Sequence, residues 1–270
     1  MTQYYVPIEE QLLILNALII EATRSLEKKP EGSLLVHQKG GSSQYYWKKG
    51  SCRSYLPKKE KAQAAKLAQK TYDKMFLRLA LEIRKDLESI QNNHCSRSAS
   101  FMYQPLAKVY TDQSLSRQSL IHPYVLPDDL FIKEWLSIPY DGLSFTDLDP
   151  MILTDQGERV RSKSEKIIAD KLYALGIPYK YESPLYLSNL GTIHPDFMLL
   201  DLSERNIVYL EHFGLMQDPN YNLQAMNKID SYRMDGYHMD DTLLCTFEGG
   251  RYVFHSAAFE SMLRHRFSLS

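Results

Sequence analysis

The chain has 270 residues, 44% of them hydrophobic and 11% aromatic, and its 32 Lys+Arg against 33 Asp+Glu leave a formal net charge of -1. That is enough chain to bury a sizeable core as one large or two modest domains. The three cysteines, Cys52, Cys95 and Cys245, lack metal-ligand spacing, which excludes a disulfide framework or a Cys-type zinc site and suits a reducing compartment.

The first element in the chain is an amphipathic helix over 8–27, with apolar residues at helical spacing and a stop at Lys29-Pro30-Glu31-Gly32. Its longest apolar run, Leu12 to Ile20, is too short for a bilayer and has no basic region ahead of it, so neither a membrane span nor a secretory signal is expected. The expected location is cytoplasmic. Two β-prone runs, 33–38 and 44–48, flank Lys39-Gly40-Gly41-Ser42-Ser43 and read as a hairpin. A third β-prone piece at 53–56 stops at Pro57, and 58–90 reads as one long basic helix. Residues 91–103 are small and polar, a linker. Residues 104–156 are interrupted by proline, with helical patches at 105–119 and 128–136, and read as a connector packed against the domain that follows.

From residue 157 the pattern alternates. A helix over 162–175 ends at Gly176, a β-prone stretch covers 179–187, strands follow at 194–200 and 207–213, a helix over 219–235 ends at Gly236, and a strand at 242–247 precedes a closing helix at 256–267. The expected fold is α/β, a mixed sheet flanked by helices. Three regions result: a basic N-terminal region at 1–103, a connector at 104–156 and a C-terminal domain at 157–270.

The near-neutral total conceals an imbalance. Residues 1–103 carry 17 Lys/Arg and 10 Asp/Glu, whereas 104–270 carry 15 and 23. Residues 39–85 alone hold 13 basic and 3 acidic residues. A polyanion partner is expected for the first part and a use for carboxylates in the second. The basic region interleaves Tyr45, Tyr46 and Trp47 with Lys48, Lys49, Arg53, Lys58 and Lys59. Cations suit phosphates and rings suit unpaired bases. The simpler alternative is that alternate rings pack inward and the lysines solvate a surface. No zinc finger, RNA-recognition signature or basic zipper is present, so sequence specificity has no support.

Asp196 and Glu211 fall at the ends of consecutive apolar strands, where an unpaired carboxylate is costly to bury. Paired, they would make a hard oxygen site for Mg2+ or Mn2+; singly, each could cap a turn or pair with a lysine. Glu165 lies in the first turn of the preceding helix, where it also favours the helix N-terminus. Gln224, Lys228 and Tyr232 recur every four residues on one helix face.

Together, Pro195-Asp196, Glu211-His212-Phe213-Gly214 starting 15 positions after Asp196, and Lys228-Ile229-Asp230-Ser231-Tyr232 resemble the PD-(D/E)XK nuclease superfamily over about residues 157–250. The similarity is greatest to small nuclease domains, some fused to helicases, in which an acidic residue is followed by His and Gly. The resemblance implies a restriction-endonuclease-like sheet, with Asp196, Glu211 and the main-chain carbonyl of His212 binding the metal. Glu165 would order the site and Lys228 would position the attacking water, supported by Gln224 and Tyr232. It implies hydrolysis of phosphodiester bonds in nucleic acid, DNA in the first place; the architecture, a nuclease with its own basic arm, would suit DNA repair or phage defence. The chain departs from the family at Phe213, where the motif lysine would stand. Either Lys228 has taken over that cation or the fold serves as a degenerate nucleic-acid-binding or assembly module. A homodimer is the other partnership considered, and no membrane partner is expected.

Overall fold

Buried positions repeat every three or four residues in the first helix, α1 (Ile8–Glu27), at Gln11, Leu15, Ile19 and Ala22. Three strands follow, β1 (Ser33–Lys39), β2 (Ser42–Lys49) and β3 (Cys52–Leu56), joined as an antiparallel sheet in the order β1-β2-β3. Gly32 opens this sheet at φ +91, and a Cβ there would stand 2.4 Å from the Lys48 carbonyl oxygen, so the close approach requires glycine. Pro57 starts one turn of 3-10 helix, Lys58–Glu60, which runs into the 32-residue α2 (Lys61–Asn92). Along α2, Ala64, Leu67, Ala68, Tyr72, Phe76, Ala80 and Leu87 are buried together with the α1 stripe and Leu34 and Leu56 of the sheet.

The segment expected to be a connector does not behave as one piece. Its first half forms α3 (Tyr103–Thr111) and α4 (Leu115–Gln118), and Met102, Leu106, Val109, Leu120, Ile121 and Val125 complete the N-terminal core rather than the C-terminal one. The reason is the apolar content of this stretch: each fully buried side chain of that size contributes roughly 1.5–3 kcal/mol, and these join the cluster formed by α1, α2 and the inner sheet face. Buried Asp73 ties the parts together, accepting hydrogen bonds from Ser25 Oγ, Gln69 Nε2 and Tyr124 Oη. The chain therefore divides into units Met1–Phe131 and Ile132–Ser270, with the boundary inside α5 (Asp128–Ser137) and not at 103 or 157. The structure, a computed structural model, describes residues 8–92 and 102–269; most of the linker expected at 91–103, and Cys95, lie outside the described residues.

In the second unit a two-residue hairpin, β4 (Ile152–Leu153) and β5 (Arg159–Val160), leads into α6 (Lys163–Ala174). Ser162 caps α6, its Oγ accepting from the Glu165 amide. The stretch 179–187 divides into β6 (Tyr179–Tyr181) and β7 (Leu185–Leu187), and β7 pairs with β8 (Gly191–Ile193) as a separate hairpin. The main sheet adds β9 (Phe197–Asp201) and β10 (Asn206–Phe213), then α7 (Pro219–Met234), β11 (Leu243–Phe247) and α8 (Ser256–Arg266). Its order is β11-β10-β9-β6, antiparallel at β6·β9 and β9·β10 and parallel at β10·β11.

Strand alternation gives the sheet two dressed faces. Phe197, Leu199, Val208, Leu210 and Leu244 pack with Ile168 and Leu172 of α6 and Phe259 and Leu263 of α8. Tyr209, Phe213 and Leu243 face the other way, with Ala225, Ile229 and Tyr232 of α7. The unit is thus mixed α/β, as expected. Among the described residues no helix is long and apolar enough to cross a membrane.

Candidate active site

Register brings the two strand-end acids together. Phe197 pairs with Leu210 in the β9·β10 ladder, and one step further along the same register sets Asp196 opposite Glu211. Directly opposed residues share a sheet face, and here it is the face of Tyr209 and Phe213, under α7. At this step β9 leaves the ladder: the His212 amide donates not to a main-chain carbonyl but to Asp196 Oδ2, at 2.6 Å. A hydrogen-bonded strand residue presents its N–H and C=O on the same side, so the His212 carbonyl is also directed to the side where Asp196 stands.

Glu211 is 2% exposed. Its Oε1 accepts from Tyr232 Oη at 2.6 Å and pairs with Lys228 Nζ at 2.6 Å. Both donors come from α7, one turn apart, and α7 is aimed by its own sequence. Asp218 caps its first turn by accepting from the Asn220 and Tyr221 amides, Pro219 preorganises it, and Gly236 at φ +87 ends it. Phe213, where the resemblance leads one to expect a lysine, is buried among Ala225, Ile229 and Phe247, stacking on Phe247 with centroids 5.5 Å apart. The cation beside Glu211 therefore reaches it from the helix above. Gln224, one turn before Lys228, is exposed to solvent, so the helix stripe passes from the surface at Gln224 to full burial at Tyr232.

The electrostatics follow from this arrangement. Burial, and then the charge of Glu211, hold the Asp196 carboxyl well above the usual carboxylate range; Glu165 adds to the rise, while the His212 amide and Lys228 oppose it. Burial and the Glu211 charge likewise push the Tyr232 hydroxyl far up, which keeps it a hydrogen-bond donor. Cys245 pairs with Glu211 across the parallel ladder, and its thiol is pushed up to about 12, chiefly by burial.

Glu165 is engaged at the head of α6, its Oε2 accepting from Tyr181 Oη at 2.7 Å and from the Arg161 amide at 2.9 Å. Its helix-terminus role is thus visible, and its charge still reaches Asp196. The His212 ring lies on the opposite face from Glu211, with Nδ1 2.8 Å from Thr246 Oγ1 and Nε2 3.3 Å from the Glu248 carboxylate. One residue sequence reasoning missed is Glu182. Its amide donates to the Asp196 carbonyl, its φ is +48, and its buried carboxylate holds Arg161 through Nε at 2.6 Å and Nη2 at 3.2 Å. A non-glycine residue in the left-handed region beside a candidate site is a signal only coordinates supply.

A divalent cation fits the chemistry of these donors. Burial first, and the Glu211 charge second, disfavour the ionised Asp196 carboxyl, and a bound cation would offset both; both donors to Glu211 fall on a single oxygen. Among the described residues no three His, Cys, Asp or Glu side chains converge as a metal cluster, so a cation would draw on two carboxylates and main-chain oxygen.

The expected nucleic-acid residues do not share one surface. Tyr45 and Trp47 turn inward, packing against the core, with Tyr45 Oη donating to the Ser116 carbonyl and Trp47 Nε1 to that of Glu31. Tyr46 points outward, with the Arg53 guanidinium 3.9 Å from its ring centroid. Lys48, Lys58 and Lys59 are exposed, and Lys49 pairs with Glu31 at 2.9 Å. Grouping Tyr45 and Trp47 with Tyr46 fails for the reason that governs every strand: neighbours in sequence face opposite sides.

No family model and no solved structure matches the chain. It is similar to an uncharacterized protein of Methanocaldococcus jannaschii, at 33% identity over 89 residues, a stretch covering 33% of this chain and 7% of that protein. The chain therefore spans only a small part of the relative's length.

Proposed function

We propose that the second unit is a metal-dependent nuclease of the PD-(D/E)XK kind, with a restriction-endonuclease-like sheet, hydrolysing phosphodiester bonds in nucleic acid and DNA in the first place. The observation that carries this reading is the placement of Lys228 Nζ 2.6 Å from Glu211 Oε1, on the sheet face where register sets Asp196 beside Glu211. A cation supplied by one helix to a carboxylate pair held by two strands is what a phosphate-cleaving centre needs.

Asp196, Glu211 and the His212 carbonyl would hold Mg2+ or Mn2+, which when bound would neutralise charge on a scissile phosphate and lower the pKa of a water molecule. Lys228 orients that water and stabilises developing negative charge. Tyr232 fixes the Glu211 carboxylate through its 2.6 Å hydrogen bond, and the His212 amide fixes Asp196. Glu165 sets the local potential and anchors the head of α6.

Incubation of wild type, Asp196→Ala and Glu211→Ala with supercoiled, linear and single-stranded DNA and with RNA, in Mg2+ and in EDTA, tests the proposal. Mg2+-dependent cleavage by wild type, lost in both variants, is the expected result. Undiminished cleavage by Asp196→Ala overturns the site assignment, and cation binding without cleavage of any substrate overturns the enzymatic reading in favour of a binding module.

A further inference from the structure

The β1–β3 sheet of the first unit has one face against the helical core and one facing out. Register and alternation put Leu35, His37 and Lys39 of β1, Gln44, Tyr46 and Lys48 of β2, and Arg53 and Tyr55 of β3 on the outer face. Three rings cross it as a row, one from each strand: His37 and Tyr46 with centroids 5.4 Å apart, and Tyr46 and Tyr55 also 5.4 Å apart, both pairs edge-on. Tyr55 is 53% exposed, and His37, Lys39, Lys48 and Arg53 are exposed. The face carries three cations and no carboxylate.

Core packing does not explain this row, because Leu34, Val36, Tyr45, Trp47 and Leu56 already serve the inner face. Nor is it an ordinary solvated strand face, which would carry small or charged residues without a continuous line of rings. Aromatic rings in a row offer π faces, and flanking cations offer phosphate contacts; a polyanion with accessible ring faces complements both. Unpaired nucleic acid has such faces, whereas a duplex keeps its base faces stacked inside.

We propose that the outer face of β1–β3 is a binding platform for single-stranded nucleic acid, with a base stacked on Tyr55 and phosphates held by Lys39, Lys48 and Arg53. Tyr46 is the central support, holding His37 and Tyr55 edge-on and carrying Arg53 over its ring. The inference is independent of the nuclease reading, since it concerns a different unit and requires no metal and no cleavage.

The test uses the full chain in EDTA and fluorescence anisotropy of dye-labelled oligothymidylate, oligouridylate and a duplex of equal length. Tighter binding of a single-stranded probe than of the duplex is expected, with Tyr55→Ala raising its Kd about fivefold or more and Tyr55→Phe retaining wild-type affinity. Lys39→Ala and Lys48→Ala should each flatten the dependence of log Kd on log salt by roughly 0.7. Melting temperatures matching wild type ensure that the variants are folded. Preference for the duplex, or Tyr55→Ala binding like wild type, would overturn the platform while leaving the cleavage assay of the second unit unaffected.

Discussion

Replacing Lys228 by Met separates what the cation does for the fold from what it does for the site. The Glu211 side chain is 3% exposed and that of Lys228 28% exposed, so the variant leaves a buried carboxylate whose remaining side-chain donor among the described residues is Tyr232. Removing one partner of a fully buried ion pair costs about 3–5 kcal/mol. Here Lys228 is partly solvated and the Tyr232 hydrogen bond persists, so the loss should be nearer 1.5–3 kcal/mol, the worth of one hydrogen bond to a charged group. Without Mg2+ the urea midpoint should fall accordingly. Cation affinity should move the other way, because the competing ammonium is gone and the carboxylate pair is more negative; isothermal titration with Mg2+ and Mn2+ reads this directly. Cleavage should drop about 10²–10⁴-fold, the range for losing a positioned proton-transfer or charge-stabilising group. A variant that cleaves like wild type, or that binds Mg2+ more weakly, refutes this account of Lys228.

The raised Asp196 carboxyl has a testable sign. A carboxyl whose folded pKa lies above its unfolded value contributes stability that is full below about pH 3.9 and is lost as pH rises through the folded pKa. Asp196→Asn keeps the neutral form and the acceptor for the His212 amide, so without metal it should melt above wild type at neutral pH and converge with it in acid; a lower melting temperature at pH 7 would contradict the assignment. At the opposite edge of the unit, Arg266 Nη1 meets Asp201 Oδ2 at 2.6 Å with side chains 7% and 2% exposed, so Arg266→Leu should cost about 3–5 kcal/mol in urea denaturation, and a loss below 1 kcal/mol would show the pair to be dispensable.

Much of this architecture could be read from periodicity, because α1, α2, α6, α7 and the strands β9, β10 and β11 are long or bounded by Gly and Pro, and their buried stripes follow 3.6- and 2-residue repeats. The short hairpins β4·β5 and β7·β8 could not, since two or three residues per strand carry no repeat. The boundary near residue 131 was hidden for another reason. Leu106, Val109, Ile121 and Val125 signal burial but not the core into which they go. At the site, Asp196, Glu211, Lys228 and Tyr232 could be selected because strand ends and an i, i+4 helix face predict proximity. Gln224 obeyed the same spacing yet lies exposed, since a helix stripe says nothing of where the helix rises off the sheet. Glu182 had no pattern at all; its importance rests on a backbone angle and a contact 21 residues away in sequence.

The β9·β10 hairpin turns through Leu202–Arg205, with Ser203 tied back to Asp201 Oδ1 and Arg205 in the left-handed region at φ +52. This turn works as a ruler. Asp196 and Glu211 meet because five paired positions are counted off from Asp201 and Asn206, and one residue more or less in the turn would slide every pair by one and put the two acids on opposite faces. The composition of the turn is open to change, but its length is fixed by a site lying five residues down each strand. Among homologous chains, those that keep both acids are therefore expected to keep the spacing between them more strictly than the residues within the turn.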